Sequence, residues 1–169
     1  MFKLLRMNNY YFIVGGSAAW AEIVRILQEK KIPFAWMKSD TEGAVSVPYE
    51  KIDEVIAAGF VPVVIGAECG RSDVKVLKKY RHHVNASPLE IVSVWEHAPL
   101  ATRWQELVLA HDEDCFNEFD YSTEIMRELC RRGFSRDEID KVRALDREIR
   151  GITGAEEAAA DECLQKHFT

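Results

Sequence analysis

The fold of this chain is decided by one apolar stretch, Phe60-Val61-Pro62-Val63-Val64-Ile65-Gly66-Ala67-Glu68-Cys69-Gly70-Arg71. Its first six residues are apolar without alternation, which is typical of a strand buried on both faces in a parallel sheet covered by helices. The run then stops at glycines and polar residues. Because open α/β sheets bind ligands at the carboxyl ends of their strands, Glu68, Cys69 and Arg71 lie where chemistry is expected.

The residues before this stretch alternate between strand and helix. Residues 10–14 and 34–37 predict two further strands because they are short, apolar and closed by glycine or polar residues. Ser17 predicts the N-cap of a helix between them, and a second helix begins at Tyr49 and stops at Gly59. The order strand, helix, strand, helix, strand is that of a parallel sheet built from right-handed crossovers.

The residues after the stretch extend this pattern. Ser72 predicts the cap of another helix, whose apolar residues are Val74, Leu77 and Tyr80, and residues 82–86 predict a short fourth strand. The sequence therefore predicts an α/β fold with a parallel, Rossmann-like sheet of about four to five strands and helices on both faces.

The remainder of the chain is predicted to be helical. Ser87, Ser135 and Thr153 are each followed three residues later by Glu, which is the signature of a capping box. The helices that begin at Ser135 and Thr153 are predicted to extend to about Arg150 and His167. Apolar residues at helical spacing predict two further helices between the first and the second of these caps.

The chain has 169 residues, of which 47% are hydrophobic, and this is enough for one domain with a sizeable core. We divide it into an α/β sheet part, residues 1–98, and a helical C-terminal portion, residues 99–169, that packs on the same domain. Its net charge of −6 argues against a general attraction to nucleic acid or to an anionic membrane.

The cellular compartment follows from the cysteines and the hydropathy. The four cysteines form no C-x-x-C pair and match no zinc spacing, so we expect reduced, buried thiols. The chain contains no apolar run of membrane-spanning length and starts with no secretory signal. We therefore expect a cytoplasmic protein that has neither a membrane nor a nucleic acid as partner.

A turn between the first strand and the first helix is the candidate cofactor site. Gly15, Gly16 and Ser17 lie where backbone N–H groups at a helix start cradle phosphate. The chain departs from the full dinucleotide fingerprint and lacks the lysine of a P-loop, so a plain tight turn is the alternative. Trp20, in the first turn of the helix, would crowd a nucleotide.

Two polar clusters contain side chains that bind divalent metals. His82-His83 lies where a fourth strand would deliver its side chains to the ligand edge, although a cluster of cations at a helix end is the alternative. His111-Asp112-Glu113-Asp114 is the densest set of carboxylate and imidazole ligands. Its spacing does not fit a calcium loop, and a helix ending in a solvated acidic turn is the alternative.

Three short segments of the second half carry a family resemblance: Ala110-His111-Asp112, Val142-Arg143-Ala144-Leu145-Asp146-Arg147 and Gly151-Ile152-Thr153. They are similar to the Ala-Asn-Asp, Ile-Arg-Ala-Leu-Asp-Arg and Gly-Val-Thr segments of uncharacterised prokaryotic proteins, which resemble the N-terminal domain of the DHH phosphoesterases. The first half of the chain agrees with that superfamily in layout. The resemblance implies a DHH-like parallel sheet and metal-dependent hydrolysis of phosphoesters with Mn²⁺ or Mg²⁺.

The family's metal site uses aspartates after the first strands, an Asp-His-His triplet and a further aspartate. The triplet position here is Arg81-His82-His83, and Gly15 stands where the early Asp-x-Asp motif would begin. The resemblance leaves His82 and Arg71 as catalytic groups that stabilise charge on oxygen. It leaves four metal ligands: Asp40, Glu68, His83 and Asp112.

Two hypotheses for the function follow. The first is a metal-dependent phosphoester hydrolase that acts on a small phosphorylated or nucleotide-like substrate, with a metal-bound hydroxide as nucleophile. The second is a catalytically degenerate relative that binds a ligand or a partner protein, including a second copy of this chain. The missing acids of the triplet and of the early motif favour the second. The pair His111-Asp112 also resembles HD-type phosphohydrolases, but that family is wholly helical.

Overall fold

The computed structural model describes residues 8–38, 46–77, 87–114 and 123–151. These ranges contain four strands and six helices. In chain order they are β1 (Asn9–Val14), α1 (Ala18–Glu29), β2 (Phe34–Met37), α2 (Tyr49–Ala57), β3 (Val61–Ile65), β4 (Lys75–Leu77), α3 (Pro88–Trp95), α4 (Arg103–Asp114), α5 (Thr123–Arg131) and α6 (Arg136–Arg150).

The four strands form one parallel sheet in the order β2-β1-β3-β4. This confirms the predicted α/β fold. The first crossover places β2 on one side of β1, and the second places β3 on the other, with Val14 paired to Met37 and Ile13 to Ile65. The connection therefore changes direction at β1, and the expected ligand crevice lies between the carboxyl ends of β1 and β3.

Helices cover both faces of the sheet, as predicted. Side chains alternate along β1, so Tyr11 and Ile13 belong to one core cluster and Phe12 and Val14 to the other. The cluster of Phe12 and Val14 is covered by α2. The cluster of Tyr11 and Ile13 is larger, and its fully buried helical members include Ile23, Leu27, Leu89, Leu107, Ile139 and Val142.

The helical C-terminal portion shares this larger core, because its buried residues cluster with those of β1 and α1. A polar contact adds to the packing: Gln105 of α4 donates to the buried carboxylate of Glu22 on α1 over 3.1 Å. The predicted start of α6 is confirmed as a reciprocal capping box between Ser135 and Glu138. The helix ends at Arg150, as the sequence predicts.

The helix predicted after Ser72 is wrong, because this segment forms the short edge strand β4. Val76 pairs with Val64 of β3 in parallel register. Val74 and Val76 contact the core beneath α2, whereas Leu77 contacts the opposite core. That alternation has the period of a strand, and Val74 and Leu77 share one helical face only by coincidence of spacing.

Two predicted elements, the strand over 82–86 and the helix from Thr153, lie outside the described residues. None of the helices within the described ranges combines the length and the apolar character needed to cross a bilayer.

Candidate functional site

The crevice between β1 and β3 is filled by an indole ring. Gly15 follows β1, Gly66 follows β3, and Trp20 of α1 packs against both. A Cβ atom built on Gly15 would lie 2.1 Å from Trp20 Cε2, and one built on Gly66 would lie 2.6 Å from Trp20 Cη2. Trp20 is 4% exposed. A side chain of the protein therefore occupies the place where this architecture binds its ligands.

The turns around the indole of Trp20 are held by hydrogen bonds to the backbone of Gly15. Trp36 of β2 donates its Nε1–H to the carbonyl oxygen of Gly15 over 2.8 Å, and the N–H of Gly15 donates to the carbonyl of Met37 over 3.1 Å. Gly66 has a φ of +87°, a left-handed conformation that suits glycine. The turn after β3 thus approaches β1 closely beside the indole of Trp20.

The N-terminus of α1 is capped by a residue from the far end of the chain. Ser17 has the extended backbone of an N-cap, but its side chain makes no capping hydrogen bond. Its buried hydroxyl has no hydrogen-bond partner among the described residues. The backbone N–H of Ala18 instead donates to Oδ1 of Asp146 over 2.8 Å. A carboxylate of α6 therefore lies where a phosphate would bind to the helix.

Asp146 is 1% exposed and is surrounded by groups that favour its ionised form. His111 Nε2 of α4 lies 3.7 Å from Asp146 Oδ1, and Arg150 Nε lies 2.8 Å from Oδ2 as an ion pair. Burial acts to raise the pKa of Asp146, but the nearby His111, the hydrogen bond from Ala18 and the charge on Arg150 outweigh it. The pKa is lowered from 3.8 to about 2, so the carboxylate is ionised at neutral pH.

Arg71, predicted to stabilise developing charge, is engaged by two carboxylates. Its guanidinium lies 2.6 Å from Asp53 of α2 and 2.7 Å from Asp73, and it packs over the ring of Tyr49. These contacts join the loop before β4 to α2. Arg71 therefore has a structural role here that is independent of any substrate.

The predicted metal ligands are only partly within the described residues. Glu68 is exposed in the turn after β3, and Asp112 is half-buried on α4. Asp40, His82 and His83 lie outside the described residues, so the predicted Mn²⁺ or Mg²⁺ site stays a prediction. Within the described ranges, no group of three or more His, Cys, Asp or Glu side chains is placed to hold a metal ion.

Asp146 was not among the predicted site residues, and Asp112 was predicted as a ligand in place of its neighbour His111. A signal for Asp146 was present. Ile139, Val142 and Asp146 follow one another at helical spacing, and all three are buried. An acid within the apolar stripe of a helix requires buried partners. The pattern therefore predicts that a helix N-terminus or a cation lies opposite Asp146.

The chain matches no protein-family model, no curated protein and no solved structure.

We expect Ser17→Ala to be nearly neutral, because it removes a buried hydroxyl that has no partner among the described residues. The free energy of unfolding should change by less than about 0.5 kcal/mol. The matched control is Ser135→Ala, which removes a cap that accepts from the N–H of Glu138 over 3.2 Å and should cost about 1 kcal/mol. Urea denaturation measures both. An equal loss in the two variants would contradict the assignment of Asp146 as the cap of α1.

Proposed function

We propose that this protein is a non-catalytic binding protein, a degenerate relative of the DHH phosphoesterases that binds a ligand or partner without transforming it. One observation carries the proposal: the crevice at the carboxyl ends of β1 and β3 is filled by Trp20, and the adjacent N-terminus of α1 is capped by Asp146. Both features belong to the folded protein itself, so a phosphorylated substrate would have to displace two buried groups.

The energetics of displacement support this proposal. Moving Trp20 out of the crevice would expose a buried aromatic side chain, and separating Asp146 from Ala18 would leave a buried charge short of one partner. Each change opposes binding by several kcal/mol. A phosphate held at one helix N-terminus gains only about 0.3–2 kcal/mol, which is less than this cost, so we do not expect it to displace the carboxylate.

The competing function is the metal-dependent phosphoester hydrolase predicted by the family resemblance. It requires Mn²⁺ or Mg²⁺ bound by Asp112 and Glu68 together with Asp40 and His83, and a metal-bound hydroxide as nucleophile. Arg71 would then have to leave its two carboxylate partners to stabilise the phosphoryl oxygens. The arrangement of the described residues favours the binding protein over the hydrolase.

A turnover assay separates the two functions. Purified protein is incubated with a generic phosphodiester and a generic phosphomonoester in the presence of Mn²⁺ or Mg²⁺, beside the variant Asp112→Ala. We expect the rates of both proteins to equal the rate without protein. Hydrolysis that requires the metal and is lost in Asp112→Ala would overturn the proposal in favour of the hydrolase.

A further inference from the structure

A second concave site lies at the opposite edge of the sheet, where the strands begin. This cleft of about 630 Å³ is bordered by the residues that precede β1, β2 and β3 and by the residues that follow α1 and α3. Its apolar floor consists of Ile32, Pro33 and Phe60. Among the described residues, no large side chain fills it, in contrast to the crevice at the carboxyl edge.

The two helices that end at this cleft are each followed by a non-glycine residue with a positive φ. Lys31 follows α1 with a φ of +56°, and His97 follows α3 with a φ of +51°. They are the only non-glycine residues with positive φ in the described part of the chain. Helices α2, α5 and α6 are instead followed by glycines with positive φ, namely Gly59, Gly133 and Gly151.

Left-handed backbone is unfavourable for a residue that has a Cβ atom, and such strain concentrates at binding sites. Both strained residues line the same cleft. Glycine would relieve the strain at either position, as it does at the other helix ends. The left-handed backbone itself closes the helix ends, because the N–H of Ile32 donates to the carbonyl of Leu27 over 2.9 Å and that of Ala98 to the carbonyl of Ser93 over 2.8 Å.

The cleft offers charges of both signs. Glu96 accepts from the hydroxyl of buried Tyr11 and from Nδ2 of Asn9, and both bonds go to its Oε1 atom. Its Oε2 atom has no partner among the described residues. Lys30 donates to the carbonyl oxygen of Glu96 over 2.7 Å, which neutralises the end of α3. Lys31, which borders the cleft, has no such partner for its ammonium in the described ranges.

We infer that this cleft binds a small zwitterion, in which an ammonium and a carboxylate are attached to an apolar side chain, as in a free apolar amino acid. The inference rests on the proposed function and names the ligand class of the binding protein. The ammonium is recognised by Glu96, the carboxylate by Lys31 and the neighbouring His97, and the side chain by the apolar floor. A phosphate dianion fits less well, because Glu96 repels it and it offers no ammonium to that carboxylate.

Ligand-observed NMR with L-phenylalanine tests this inference on the full chain. We expect a Kd of about 1 mM, given the few atoms of the ligand. Two analogues that each lack one charge, 3-phenylpropionate and phenylalanine methyl ester, should bind at least about tenfold more weakly. Absence of phenylalanine binding at about 10 mM, or equal binding of the three compounds, would overturn the inference.

Variants of Lys31 assign the binding to the cleft. Lys31→Asn removes the ammonium but keeps a residue that tolerates left-handed backbone, and it should weaken binding about tenfold. Lys31→Gly should weaken binding equally while raising Tm by about 1–4 °C, because it relieves backbone strain. The control is Lys51→Asn on α2, a lysine that is 64% exposed and lies away from the cleft, which should leave Kd unchanged.

The outcomes separate this inference from the proposed function. Unchanged binding in Lys31→Asn, or a loss of binding equal to that in Lys51→Asn, would overturn the cleft as the site. Metal-dependent hydrolysis with intact phenylalanine binding would overturn the proposed function and leave the cleft in place. Absence of both hydrolysis and phenylalanine binding would overturn the inference alone.

Discussion

Replacing Asp146 by alanine is expected to lower the free energy of unfolding by about 3–5 kcal/mol. The substitution leaves the N–H of Ala18 without its acceptor and deprives His111 and Arg150 of the buried carboxylate. Removing one member of a buried charged cluster costs more than the cluster itself contributes, because the remaining groups stay desolvated. Because typical domains are stable by only about 5–15 kcal/mol, this loss is a large fraction of the total.

Asp146→Asn separates the charge from the hydrogen bond. Asparagine keeps an acceptor for the N–H of Ala18 but carries no charge, so we expect an intermediate loss of about 1–3 kcal/mol at pH 7. The pKa of Asp146 is lowered in the folded state. The ionised carboxylate therefore stabilises the fold fully above pH 3.8, and this stabilisation is lost as the pH falls toward 2. The difference between the native protein and Asp146→Asn should therefore narrow at pH 3.

Urea denaturation at pH 7 and pH 3 measures these differences. The control is Asp140→Ala on the same helix, because Asp140 is 56% exposed and lies 3.9 Å from Arg143. Its loss should stay within about 0.5 kcal/mol. If Asp146→Ala were no more costly than Asp140→Ala, Asp146 would not be the cap of α1.

Gly66→Ala is expected to be the most destabilising single-methyl addition in the described part of the chain. Its Cβ would lie 1.9 Å from the carbonyl oxygen of Val14 and 2.6 Å from Trp20 Cη2. The oxygen belongs to β1, an interior strand in which Val14 pairs with Met37 of β2, so it cannot move without disturbing that pairing. Together with the strain of a φ of +87°, this should cost more than about 4 kcal/mol.

Gly59→Ala provides a matched control, because Gly59 has almost the same φ of +86° but nothing within 4 Å of the added atom. It therefore reports the backbone strain alone, about 1–2 kcal/mol. Thermal and urea denaturation measure the loss of free energy of unfolding in both variants. The difference between the two losses is the cost of the contact between the added Cβ and β1. Equal losses would mean that the turn after β3 moves freely away from β1.

Local patterns were sufficient to predict most of the fold. Strand β2 begins and ends where the apolar run 34–37 does, and α6 begins at the capping box of Ser135. Both features depend on neighbours within one or two turns, which a single sequence contains. The error at β4 has the same origin, because three residues, Lys75–Leu77, are too few to distinguish a period of two from one of 3.6.

The candidate site depends on contacts that the sequence does not contain. The position of Trp20 in the first helical turn predicted that it would crowd a nucleotide. This prediction agrees with the crevice, which the Trp20 side chain fills. Nothing near Ser17 indicates that Asp146, rather than its own hydroxyl, caps α1. A side chain distant in sequence replaced the local cap, and such replacements become visible only once the helices are packed.

The bond between Ala18 and Asp146 joins residues 128 positions apart. During synthesis, α1 leaves the ribosome long before its capping carboxylate exists, so the start of this helix stays incomplete until α6 docks. Contacts of such long sequence separation slow folding and make it cooperative. The sheet and the helices that follow it therefore form one unit: detaching α6 uncaps α1, and the layer containing Trp20 loses part of its support.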